Sequence, residues 1–281
     1  MQHQTINESL NTPISRSELA QFSMLLEVTA RCKPGNIDRD HDYKNTRLEH
    51  FLASSVRVRS VFSEVEQQKL NIGEAILKSV ACTNNHSGGN THFGSFILLI
   101  PLILAGNIYN AKNIVRQTTV EDAINFYKAF NLTEVRMYPS DPMDVNNPES
   151  IQKLIDDNIT MYDIMEYSAP HDMVAREWTN NFELTNIASK ILLNGHNGIE
   201  DIPKMYMYLL ANYPDTFIAK KFDDTTANMI MQKAKLVLDG SMNISLFDEE
   251  CLSKGINPGS IADICVSGIY CALMEGWKWD C

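Results

Sequence analysis

Lys33, Asp38, Arg39, Asp40, His41 and Asp42 fall within one short polar segment, CKPGNIDRDHDYKN (residues 32–45), broken by Pro34 and Gly35. Such a mixture suits phosphates with Mg²⁺, because ammonium or guanidinium groups neutralise oxygens while carboxylates or their waters hold the metal. The competing reading is a solvated loop that closes its own salt bridges. A second segment, TNNHSGGNTHFG (83–94), carries Gly88 and Gly89 and leads into an apolar run. Backbone N–H groups at that helix start could meet an anionic or electron-rich group, although an Asn-capped turn explains the same residues. It is not a GxxxxGK[ST] phosphate loop, and no dinucleotide fingerprint occurs in the chain. His86 and His92 match no recognised zinc spacing and read as hydrogen-bonding histidines.

Asp172 and Arg176, four residues apart, share one face of a predicted helix, with Glu177 alongside and Glu166 one helix earlier. A surface ion pair is the default reading, but the apolar setting argues that such a row needs a partner or a ligand. Near the end of the chain Asn257-Pro258-Gly259-Ser260 makes a turn and helix start, with Asp263 in the first turn. That acid either complements the helix dipole or points into a site. His41-Asp42 and His171-Asp172 invite comparison with HD-type metal phosphohydrolases, but the only histidine before His41 is His3, so that pattern is incomplete.

Helices must position these groups. Most of the chain carries apolar residues three and four apart and few alternating stretches, which predicts an all-α fold. Ser15 with Glu18 three residues on forms a capping box for a helix to about Ala30, which brings Glu27 beside the first polar loop. Further helices are expected at 48–62, 72–82, 120–130, 151–156, 161–168, 172–193, 202–213, 225–238 and 260–277. The run Phe96 to Ala105 reads as a buried core helix, being about ten residues where a bilayer span takes roughly 20. Pro139, Pro142 and Pro148 predict a long connection, without linker composition. The expected architecture is a single domain, residues 1–281, of about a dozen helices, with a polar cleft formed by inter-helix loops.

The 281 residues are 44% hydrophobic and 21% charged, ordinary for a globular chain, and the net charge of −11 gives no field for nucleic acid or an anionic bilayer. Six scattered cysteines without a CxxC pair point to a reducing, cytoplasmic setting. The first residues have neither a basic region nor an apolar core, so neither a secretory signal nor a membrane anchor is expected there.

Four separated segments together resemble the triphosphoribosyl-dephospho-CoA synthase family, in its divergent, archaeal-type branch. They are Glu27-Val28 with Lys33-Pro34-Gly35-Asn36-Ile37-Asp38-Arg39, then Asn90-Thr91-His92 with Gly94, then Asp172 with Arg176, and finally Asn257-Pro258-Gly259-Ser260-Ile261-Ala262-Asp263. They occur in the family's order and span most of the chain.

The resemblance implies a transferase of cofactor biosynthesis. In the family's reaction the ribose 2′-hydroxyl of 3′-dephospho-CoA attacks C1′ of ATP and adenine leaves. Asp38, Asp42, Asp172 and Asp263 are then the catalytic candidates for base, oxocarbenium stabiliser and metal ligand. Lys33, Gly35, Arg39, Asn90, Thr91, His92 and Arg176 would bind the nucleotide, and Glu27, Asp38 and Asp172 would hold Mg²⁺. Phe93 stands where the bacterial pattern has lysine, Asp38-Arg39 runs directly into Asp40-His41-Asp42-Tyr43, and Glu177-Trp178 replaces a glycine pair. These departures leave open a related transfer to another cofactor precursor, or a non-catalytic nucleotide-binding protein. The expected partners are small-molecule substrates, with a homodimer as the candidate assembly.

Overall fold

The computed structural model describes residues 14–133 and 148–281, so the expected proline-rich connection lies largely outside the described residues. Among the described residues there are sixteen α-helices, one 3-10 turn (Gly198–Glu200) and no strand. The first is α1 (Arg16–Thr29), and the Ser15–Glu18 capping box that opens it is formed from both sides. It is followed by α2 (Leu48–Arg57), α3 (Arg59–Glu66) and α4 (Ile72–Thr83). The expected core helix is α5 (Phe93–Ala105); Leu98 through Ile100, Leu102 and Ile103 in it have no exposed surface. Gly106 closes α5 with a left-handed φ of 76° and turns the chain through 108° into α6 (Ile108–Val115). No single described helix is long and apolar enough to cross a membrane.

Next come α7 (Val120–Asn131), α8 (Pro148–Asp156), α9 (Met161–Ser168), α10 (Met173–Thr179) and α11 (Glu183–Leu193). The spacing predicts one helix over 172–193, but Asn181 and Phe182 take positive φ of 65° and 58° and split it. The cause is Glu177, whose two carboxylate oxygens accept the Leu184 and Thr185 N–H groups at 2.9 and 2.8 Å and so cap a new helix start. Trp178 beside it is buried and donates Nε1–H to the Ile97 carbonyl of α5 at 3.1 Å. The Glu-Trp pair that departs from the family pattern therefore ties α10 to the core and starts α11.

The chain ends with α12 (Asp201–Asn212), α13 (Thr216–Lys221), α14 (Asp224–Leu238), α15 (Ile244–Lys254) and α16 (Gly259–Met274). Periodicity did not reveal α6, α13 and α15, yet each has a side-chain cap: Asn107, Asp215 and Asn243 accept backbone N–H groups of the first turn. One continuous apolar cluster runs through the described helices. At its centre lies α16, packed against α1, α5, α11 and α12. A central helix buried on all sides must end somewhere, and its N-terminus is where polar groups gather.

Candidate active site

Asp263 in the first turns of α16 accepts the Ser95 hydroxyl at 2.5 Å. Gly94 gives its backbone room: a Cβ there would lie 2.1 Å from the second Asp263 oxygen. Protein crowds this carboxyl, although the residue keeps a partly accessible edge. Burial pushes its pKa up to about 7, the Ser95 bond opposes that, and the Glu27 and Asp215 charges add to it. Asp215, fully buried, caps α13 through the Ile218 N–H at 2.9 Å and holds the Ile261 N–H of α16 at 2.8 Å. Burial raises it to about 6, with Asp172 also pushing upward.

The first polar loop is fastened against the same end of the bundle. Tyr206 on α12 donates to the Pro34 carbonyl at 2.9 Å, and Asp248 on α15 accepts the Gly35 N–H at 2.8 Å. The Tyr43 hydroxyl lies 2.5 Å from the Gly35 carbonyl and 3.0 Å from that of Ile256. Gly35 has φ +74°, and an added Cβ would sit 2.5 Å from the Ile256 carbonyl oxygen and 2.8 Å from Cys251 Cβ. Gly35→Ala is therefore expected to lose about 2–4 kcal/mol, from left-handed strain plus overpacking. Urea unfolding checks it, and a midpoint equal to that of the parent chain would contradict the packing described.

Lys33 has no exposed surface. Its ammonium donates to Glu27 at 2.6 Å and to the Ile37 carbonyl at 3.0 Å. Expected as a phosphate-binding cation, it instead sits inside the protein as the partner of Glu27. Asp38 is equally enclosed: its oxygens accept the Lys33, Asp40 and His41 N–H groups at 3.2, 2.8 and 3.1 Å. His41 Nδ1 lies 3.1 Å from Asp248 of α15 and 3.5 Å from Asp38, without hydrogen-bond geometry to either.

His92 forms the start of α5, 2% exposed, with Nδ1 2.9 Å from the Ser54 hydroxyl of α2 and Nε2 without a partner. Burial, then the Lys33 charge and His86, drive its pKa down to about 3, so the ring is neutral. Asn90 Oδ1 accepts the Phe93 N–H at 3.1 Å in the turn before α5, and the neighbouring Thr91 hydroxyl is buried without a partner. Phe93 stacks on Phe126 at 5.8 Å and meets Phe130 edge-on at 4.6 Å, so the position that carries lysine in the bacterial pattern is core in this chain.

Asp172 caps α10 through the Val174 and Ala175 N–H groups and pairs with Lys220 of α13. Met173 N–H donates to Thr216, which lies 3.2 Å from Ser260 of α16, so this segment also abuts the α16 N-terminus. Arg176 does not pair with Asp172. It is exposed and donates to the Ala169 and Pro170 carbonyls at 2.9 and 3.0 Å. Asp42, exposed, accepts the Leu48 N–H at 2.7 Å as the start of α2, and is not joined to the carboxylates around Asp263. Arg39, exposed, borders a hollow of about 60 Å³ shared with Arg31 and Glu200. That is far below the several hundred Å³ of a ligand pocket.

Glu27, Asp38 and Asp172 do not make a resident Mg²⁺ cage. Lys33 occupies Glu27, backbone N–H groups fill Asp38, and Lys220 with two N–H groups engages Asp172. No group of three His, Cys, Asp or Glu among the described residues could hold a metal ion. Ser95, Asp215, Asp248, Tyr206 and Lys220 belong to this end of the bundle without lying in any of the sequence motifs. The Pro-Asp-Thr start at 214–216 resembles an N-cap and could have exposed Asp215; Ser95, Tyr206 and Asp248 carry no local signal.

Residues 14–281 match the family profile described as ATP:dephospho-CoA triphosphoribosyl transferase, CitG. Among solved structures, the chain is similar to a crystal structure from Archaeoglobus fulgidus bearing the provisional name triphosphoribosyl-dephospho-CoA synthase. That similarity has a TM-score of 0.69 at 28% identity and covers 81% of this chain and 100% of the other. No curated protein matches.

Proposed function

The chain belongs to the ATP:dephospho-CoA triphosphoribosyl transferase family, and from that premise we propose that its reaction centre is the group of carboxylates around the N-terminus of α16. The activity is that of a triphosphoribosyl-dephospho-CoA synthase, a transferase of cofactor biosynthesis. In our reading the whole chain acts as one catalytic domain.

The observation that carries the reading is Asp263, a crowded carboxyl with its pKa near 7 where the four family segments converge. A base for the attacking hydroxyl works best with a pKa near the working pH. The 2′-oxygen of dephospho-CoA forms its bond to C1′ as the C1′–N9 bond breaks. The hydroxyl proton passes to Asp263, and the electron pair leaves with adenine, which takes a proton from solvent. Positive charge developing on the ribose is offset by the same carboxylates, as in glycoside hydrolysis. Glu27 and Asp215 contribute through their charge at Asp263.

With Lys33 enclosed, Arg39, Arg176 and Lys220 are the cations we assign to the triphosphate, whose charge requires several donors. Magnesium enters in this reading bound to the nucleotide, since the acids among the described residues do not fit a resident site. Incubation with ATP, Mg²⁺ and dephospho-CoA is expected to release one adenine per acceptor consumed, with a product heavier by the triphosphoribosyl group. ADP and phosphate in place of adenine, or adenine only with a different acceptor, would refute the assignment.

A further inference from the structure

Ser54 and His92 form a buried pair that the family segments do not explain. Ser54 lies on α2, outside all four segments, and has no exposed surface. Its hydroxyl is 2.9 Å from His92 Nδ1, and either atom can donate, depending on the ring tautomer. If Nδ1 carried the proton, the Ser54 hydroxyl would accept it and its own hydrogen would need another acceptor. The neighbouring Ser55 bonds to the Phe51 carbonyl four residues back, but no such bond is made by Ser54. A hydroxyl hydrogen left without an acceptor in a dry interior carries the full desolvation penalty of that group. Donation from Ser54 to Nδ1 pairs both of those atoms and puts the ring proton on Nε2, so that one unpaired group, the Nε2–H, remains in place of two, the Ser54 hydrogen and the Nε2 lone pair.

His92 Nε2 is itself buried without a partner. The ring is held on its other sides, edge-on to Phe51 at 5.0 Å and tilted against Phe96 at 6.1 Å. An oriented, neutral N–H donor with no protein acceptor calls for an acceptor from a ligand. We propose that Ser54 is a positioning residue that fixes His92 as its Nε2–H tautomer, and that this N–H donates to a purine ring nitrogen of the nucleotide. The inference rests on the reading that ATP binds at this end of the bundle.

The chemistry gives such a bond its value. As the C1′–N9 bond breaks, the electron pair on adenine spreads onto N3 and N7, so a donor to one of them strengthens in the transition state. Because burial keeps the imidazole neutral, His92 holds a hydrogen bond and does not deliver a proton. This separates it from the Asp263 side of the reaction.

Two measurements test the proposal. The ¹⁵N spectrum of the imidazoles in the free wild-type chain should show His92 as the neutral Nε2–H tautomer, and Ser54→Ala should shift it towards a mixture. Finding the Nδ1–H tautomer in the wild-type chain overturns the proposal whatever the chain binds. In the second, adenine or deazaadenine release is followed with ATP, 7-deaza-ATP and 3-deaza-ATP. One analogue should lose roughly 10²-fold in kcat with little change in KM. Ser54→Ala should lose about 10-fold in kcat with ATP and far less with that analogue. Equal turnover of all three nucleotides by the wild-type chain overturns the donor role while leaving the transferase reading intact. Absence of any nucleotide binding overturns both.

Discussion

Asp263→Asn is expected to abolish turnover while making the protein more heat-stable at neutral and alkaline pH. The substitution keeps the size of the side chain and an oxygen for the Ser95 hydroxyl, so α16 and α5 should stay in register. It removes the proton acceptor, a change worth roughly 10²–10⁴-fold in rate for a general base. The stability effect has the opposite sign. The folded carboxyl titrates at about 7 against an ordinary 3.8, so across that window the folded state binds more protons than the unfolded one. Stability therefore falls as pH rises from about 4 to 7, and the penalty is fully present above 7. Asparagine carries no such penalty, so its Tm should exceed that of the parent by several degrees at pH 8 and match it near pH 4. In the parent, kcat/KM should rise with pH along a limb centred near 7. Full activity in the variant, or a Tm lowered at pH 8, would exclude Asp263 as a strained base.

The same arrangement explains what the amino-acid order revealed and what it hid. Local signals were sufficient where one stretch of chain decides the outcome. The Ser15–Glu18 box starts α1, and the unbroken apolar run at 96–105 is the heart of α5. They failed where a distant partner decides: the Glu177 carboxylate splits 172–193, and short helices with weak apolar spacing were recognisable only by their caps. The grouping of motif segments at one end was legible, because Asp263, Gly94, Asp172 and the Gly35 loop do abut the start of α16. Their individual duties were not. Asp42 and Asp38 look alike in sequence, yet one is an exposed helix cap and the other is enclosed by backbone N–H groups. Charge alone cannot distinguish a carboxylate aimed at a ligand from one that holds a loop.

Lys33 is the sharpest instance of that distinction, and it carries the second large prediction. Lys33→Met should destabilise the fold by about 3–5 kcal/mol, because it strands the 3%-exposed Glu27 carboxylate without its ammonium partner. Burial already pushes Glu27 upward and Lys33 opposes it, so loss of the cation leaves Glu27 protonated or the loop displaced. The double variant Glu27→Leu/Lys33→Met removes both desolvation costs, and most of the lost stability should return. Urea unfolding of the four chains gives the coupling directly. A Lys33→Met midpoint near that of the parent, or a double variant no better than the single, would contradict a buried pair. A surface phosphate-binding lysine predicts the reverse: a stable single variant with a raised KM for ATP.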